Sequence, residues 1–187
     1  MRQRRATRAA DEREPAGREW PVVLGVDPGT RVVGYGSLVL APDGPRLLAA
    51  GALRANARAP VAERLHTIRS GLEAELERCR PDVVVVERAF SARNVQSALR
   101  LGEARGVILA CAVAAGARVA ELTASEAKKA VLGHGGGSKL QVAYMVALRL
   151  GIEVPTTLDV TDALALALAH AKRMEWAATV RRSETAG

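Results

Sequence analysis

Apolar runs along this chain are cut by sharp interruptions, and the interruptions delimit its elements. Val22, Val23, Leu24 and Val26 make a short buried-strand pattern that stops at Asp27; Pro28-Gly29 supplies a turn, and a second strand begins near Val32 and runs to Leu40. Pro42-Asp43-Gly44-Pro45 is a second turn signal, and Arg46 to Arg54 reads as a third strand. Three strands joined by short turns predict an antiparallel meander. After Pro60, apolar residues recur at Leu65, Ile68, Leu72 and Leu76, the spacing of one buried helical face, until Pro81-Asp82. Val83 to Val86 is an uninterrupted β-branched run, as expected of a strand covered on both faces, and it ends at Glu87.

A long Ala-rich helix is predicted from Ala92 to Ala115, carrying Leu99, Leu101, Val107, Ile108, Leu109 and Val113. So broad an apolar surface packs on the sheet, on a partner subunit, or on both. Ala117 to Leu122 gives a fifth strand, and Thr123 and Ser125 offer N-cap oxygens to a short helix holding Lys128 and Lys129. The loop GHGGGSK follows, then a helix from about Leu140 to Leu150 closed by Gly151. The last helix is expected to begin near Thr161, with Asp159 and Asp162 at its start.

Charge sharpens this picture. The 187 residues carry 27 Lys and Arg against 20 Asp and Glu, a net +7, which favours a polyanionic partner, although an Arg- and Ala-rich composition produces the same bias without one. With 49% hydrophobic residues the chain suits one globular domain. Residues 1–20 have six Arg, four acids and almost no apolar pattern, and are expected to form a disordered basic extension; 21–173 form the folded domain and 174–187 a C-terminal tail. No apolar run is long enough to span a bilayer and none follows the basic start as a secretory signal requires, so a cytoplasmic location without membrane contact is expected. Cys79 and Cys111 read as reduced core residues.

Four carboxylates carry the chemistry. Asp27 and Glu87 each end a buried strand, and Asp159 and Asp162, three apart, share one side of a helical turn. Each has a plain alternative: Asp-Pro-Gly is ordinary turn chemistry, and Asp at a helix start caps it. If strands one and four are neighbours and the last helix packs beside them, all four meet in one cleft, where they repel unless cations compensate. Mg²⁺ or Mn²⁺ suit oxygen ligands, and two such ions roughly 3.5 to 4 Å apart promote phosphodiester hydrolysis. An acidic metal cleft in a basic protein suits a nuclease.

The segments GVDPGTRVVGYG, VVVVERAFSARNVQSALRLGEARGV, KKAVLGHGGGSKLQV and DVTDALALALAH, in that order and spacing, resemble the RuvC family of bacterial Holliday-junction resolvases across Val22 to Arg173. The resemblance implies an RNase H-like α/β fold with a five-stranded mixed sheet flanked by helices. It implies a homodimer that resolves four-way junction DNA by paired symmetric nicks in recombination and repair, leaving ligatable 5′-phosphate and 3′-hydroxyl ends. It also implies cooperation with the RuvA and RuvB branch-migration complex. Asp27, Glu87, Asp159 and Asp162 match the family's acidic site for two Mg²⁺, which Mn²⁺ replaces. Lys128 and Lys139 match basic residues that engage phosphates near the scissile bond. Phe90 matches an aromatic used against junction bases, with a core anchor as its alternative; Arg93, Asn94 and Ser97 are expected to touch backbone phosphates. The chain departs from the family at Glu121-Leu122-Thr123-Ala124, where Tyr and Pro are common, and in its Gly-rich loop, where His134 is expected to be an exposed loop residue.

Two rivals and one variant frame the choice. Gly133 to Lys139 lacks the Gly before Lys of a nucleotide P-loop, and Leu140 stands where Ser or Thr is needed. The Asp-x-Gly-Thr hairpin of the sugar-kinase and chaperone ATPase group requires a second comparable domain, for which 187 residues leave no room. A module that binds branched DNA without cutting it is expected to lack a metal acid, and none is missing.

Overall fold

The computed structural model describes residues 19–88, 95–155 and 157–185, with side chains described as far as residue 177. Its elements run β1 (Val22–Asp27), β2 (Val32–Ala41), β3 (Gly44–Arg54), α1 (Val61–Cys79), β4 (Val83–Glu87), α2 (Val95–Ala114), β5 (Arg118–Leu122), α3 (Ala124–Leu132), α4 (Lys139–Leu150) and α5 (Leu158–Thr185). The five strands form one sheet in the order β3-β2-β1-β4-β5. β1, β2 and β3 are the antiparallel meander, whereas β4 runs parallel to β1 and β5 parallel to β4. The sheet is therefore mixed, with β1 and β4 side by side as the four-acid arrangement requires.

Alternation along the strands divides the core into two layers. Val23, Leu38, Val83, Val85 and Leu122 pack with α3, α4 and the apolar stretch of α5. Leu24, Val26, Val33, Val84 and Val86 pack with α1 and α2. α5 comes unusually close to the sheet because two positions beneath it lack a side chain. A Cβ at Gly25 would lie 2.0 Å from the carbonyl oxygen of Ala163, and one at Gly34 would lie 2.0 Å from that of Asp159. The β4 layer is pinned to β1 by Asp82, whose carboxylate accepts from the Val22 N–H at 2.7 Å.

Several boundaries differ from the sequence-based expectation. β3 begins at Gly44, not Arg46, because only Pro42 and Asp43 turn; Gly44 takes φ +129°, and Pro45 is tolerated on an edge strand. α5 begins at Leu158, earlier than Thr161, which puts Asp159 inside the first turn. The same helix continues through Thr185, across the stretch expected to be a tail; Met174 there packs on the core, just after Arg173, which pairs with Glu126 at 2.8 Å. On α1 the buried face is Arg64, Ile68, Leu72, Leu76 and Cys79, so Arg64 takes the place expected of Leu65. Cys79 and Cys111 are buried and not joined in a disulfide, as expected. Residues 1–18 lie outside the described residues.

Candidate active site

Strand parity brings the first two acids together. Val23, Gly25 and Asp27 point to the α5 side of β1, and Val83, Val85 and Glu87 point to the same side of β4, with Val23 opposite Val83 and Gly25 opposite Val85. Asp27 and Glu87 then meet at the open ends of two parallel strands, and their carboxyl groups are in hydrogen-bonding contact. α5 supplies the other two from its first and second turns, held against β2 by the close approach at Gly34.

Asp27, Glu87 and Asp162 line a cleft of about 190 Å³ together with Lys128 from α3 and Lys139 from the start of α4, over an apolar floor that includes Val142 and Leu166. Asp159 stands beside this cleft, close enough for its charge to act on both Asp27 and Lys139. Burial, the hydrogen bond with Glu87, and the charges of Glu87, Asp162 and Asp159 push the Asp27 carboxyl up to about 8. Lys139 Nζ donates to Asp162 Oδ2 at 3.0 Å, and this bond, with the charge of Asp162, raises the lysine further.

A proton favoured on Asp27 and the Lys139 ammonium on Asp162 thus offset part of the cleft's negative charge. In this arrangement no three of the His, Cys, Asp and Glu side chains among the described residues are gathered into a metal cage. The donor set nevertheless fits hard divalent ions: all four groups are carboxylates, and their charge, crowded enough to hold a proton near pH 8, favours any cation that replaces it.

A pH dependence follows. The folded value of Asp27 lies above its ordinary 3.8, so the stability it contributes to the metal-free fold is fully present below about pH 4 and is lost as pH rises through about 8. Divalent ions should therefore stabilise the protein more at pH 8.5 than at pH 6, in the same direction as increased metal uptake. Thermal melts with and without metal at the two pH values check this; an increment larger at the lower pH would contradict it.

The surroundings account for the local sequence. Thr123, not Ser125, caps α3 in a reciprocal box with Glu126. Glu121 pairs with Arg105 of α2 and, at 3.4 Å, with Arg88, on the side of β5 away from the cleft. The Gly-rich loop links two caps: Gly133 closes α3 in the left-handed conformation, and Ser138 opens α4 with Gln141. His134 is exposed in that loop, as expected. Ser97 is exposed near the start of α2. Phe90, Arg93 and Asn94 lie outside the described residues.

The sequence profile described as crossover junction endodeoxyribonuclease RuvC matches residues 23–170 of this chain. The chain belongs to the RuvC family. A RuvC from Alkalilimnicola ehrlichii, named crossover junction endodeoxyribonuclease, is 41% identical over 163 residues, covering 87% of this chain and 98% of that protein. The structure of Thermus thermophilus RuvC superposes with a TM-score of 0.74 at 36% identity, covering 82% of this chain and 96% of the other. The same TM-score and coverage hold, at 34% identity, for T. thermophilus RuvC in complex with a Holliday junction substrate. The RNase H-like architecture expected from the sequence is the one observed, and RuvC membership implies dependence on divalent metal.

Sequence reasoning missed the Lys139–Asp162 pair, although it singled out both residues; they lie 23 positions apart and no local pattern couples them. It also missed Arg64, because an apolar template selects the neighbouring Leu65.

Proposed function

We propose that this chain is a metal-dependent, structure-selective endonuclease that resolves Holliday junctions, with Asp27, Glu87, Asp159 and Asp162 as its metal-holding acids. The observation that carries the assignment of residues is their approach, from two strand ends and one helix, to a single cleft that also holds Lys128 and Lys139. Bound divalent ions supply water activation and neutralise the departing oxygen during phosphodiester hydrolysis. Mg²⁺, with Mn²⁺ as substitute, suits an all-carboxylate site. Asp27 contributes most when its proton has left, and its fixed place at a strand end keeps it oriented without reorganisation. Lys139 and Lys128 bring positive charge to the same cleft, where a DNA phosphate needs it. The products are 5′-phosphate and 3′-hydroxyl ends. Cleaved junctions that religate with Mg²⁺ and remain uncut in EDTA would support this reading; cutting that persists in EDTA would refute it.

Lys139→Ala is expected to slow cleavage and to flatten the salt dependence of junction binding by about 0.9 in the log–log slope, the loss of one phosphate contact. An unchanged slope in a filter-binding titration would mean that Lys139 stays on Asp162 and off the DNA.

A homodimer is the second element of the proposal. α2 turns Val95, Leu99, Gly102, Gly106, Ala110 and Val113 outward on one stripe; Val95, Leu99 and Val113 are exposed, and the space above both glycines is open. Two copies of such a stripe can approach closely across a two-fold axis and present two clefts to opposed strands. Leu99→Glu should yield a monomer by sedimentation and uncouple the paired nicks; a dimer that survives would move the interface elsewhere. RuvA and RuvB are the proposed partners that deliver the junction, in the cytoplasm; no helix among the described residues is long and apolar enough to cross a membrane.

A further inference from the structure

On the other side of the sheet from the acids, a cavity of about 880 Å³ opens between the turn after β1, the loop before α1 and the N-terminal part of α2. Arg31 comes from the turn, Arg64 from α1 and Arg100 from α2, with Thr30 alongside, and no carboxylate lines the wall among the described residues. The N-terminus of α1 also borders it, where Pro60 provides no side-chain cap for the first-turn N–H groups.

Arg64 decides the reading. It is only 5% exposed, and its Nε is buried without an acceptor among the described residues. A guanidinium withdrawn from water is costly unless an anion pairs with it, and two further arginines converge on the same space. Arginine in this number, beside an uncapped helix start, suits a phosphate oxygen set.

We propose that this cavity holds a backbone phosphate of the DNA substrate, away from the cleaved bond, through Arg31, Arg64 and Arg100. The proposal rests on the nuclease reading above. The cavity is far larger than one phosphate needs, which suits a phosphodiester still attached to its strand. Thr30 and Arg31 follow Asp27 by three and four residues, so a strand crossing the end of β1 can meet both the acidic cleft and this cavity. Arg100 is turned about 100° around α2 from Leu99 and about 140° from Val95, so its side chain lies off the proposed dimer stripe.

The test is binding of a labelled four-way junction in EDTA across a salt series, using the full chain and the variants Arg31→Gln, Arg100→Gln and Arg64→Gln. Arg31→Gln and Arg100→Gln should each weaken binding about fivefold and lower the log–log salt slope, by about 0.9 when the phosphate contact is lost altogether, without shifting the thermal midpoint. Arg64→Gln should do at least as much; if it does not fold, the two more exposed arginines still decide. Methylphosphonate replacement at single junction phosphates should reveal one position where wild type loses affinity and Arg100→Gln loses no more. Wild-type affinity and slope in both exposed variants, with wild type still cutting junctions, would overturn this site and leave the nuclease reading standing. Loss in these variants of stabilisation by inorganic phosphate, with junction affinity intact, would assign the cavity to a free anion and overturn it too. A wild-type protein that binds no junction would overturn both.

Discussion

Asp27→Asn is expected to reduce junction cleavage by more than roughly 100-fold, since even residues that merely orient a metal ligand are worth 10- to 100-fold. Junction binding should survive or tighten, because a negative charge facing phosphate is removed. The same substitution should stabilise the metal-free fold. Asp27 is the group on which burial and three neighbouring acids converge, and an amide there needs no proton to stay neutral. A gain of about 1–3 kcal/mol, or roughly 3 to 10 °C for a chain of this size, is the expected scale. The decline of metal-free stability between pH 4 and 8 should flatten in the variant. Loss of activity with a rise in thermal midpoint is a combination that a merely structural aspartate would not give. Wild-type cutting rates, or a destabilised fold with activity retained, would contradict the role proposed for Asp27.

Gly34→Ala is expected to have the second largest effect, on stability and activity together. The added methyl would sit 2.0 Å from the carbonyl oxygen of Asp159, so the first turn of α5 has to move away from β2. Asp159 and Asp162 ride on that end of the helix, and displacing them by a fraction of an ångström is enough to spoil a site that depends on convergence. We expect a loss of about 2–4 kcal/mol and cleavage lowered by at least about 100-fold. Gly25→Ala meets the Ala163 carbonyl oxygen at 2.0 Å and the Ala167 N–H at 2.9 Å, deeper under the same helix, and should cost more stability still. Gly136→Ala, where no atom of the described residues lies within 4 Å of the added methyl, is the control and should leave the thermal midpoint where it is. Equal melting temperatures for Gly34→Ala and Gly136→Ala would mean that α5 does not press on the sheet as described.

The strands were legible because strong punctuation bounds them: Pro-Gly after Asp27, Pro42-Asp43-Gly44-Pro45 between β2 and β3, although β3 already starts inside it, and Pro81-Asp82 before Val83. Four consecutive valines signalled a strand covered on both faces, and parity then carried Asp27 and Glu87 to one side of the sheet. The close packing of α5 was not legible in the same way. Glycines in strands look like weak strand formers, and their use as a bed for a helix appears only when the partner backbone is present. The start of α5 was misread for a related reason: Asp159 looks like a cap before the helix, yet it lies within the first turn. Arg64 shows the limit of apolar templates, since a charged side chain with a long stem can fill a buried position at helical spacing.

Cleavage of a labelled synthetic four-way junction, run beside linear duplex of the same sequence with Mg²⁺, Mn²⁺ or EDTA, bears most directly on whether this cleft resolves junctions. Paired nicks on opposed strands, dependent on metal and absent from the duplex, are expected. A junction that is bound but stays intact with every ion would leave four clustered carboxylates without a reaction and make the chain a binder of branched DNA.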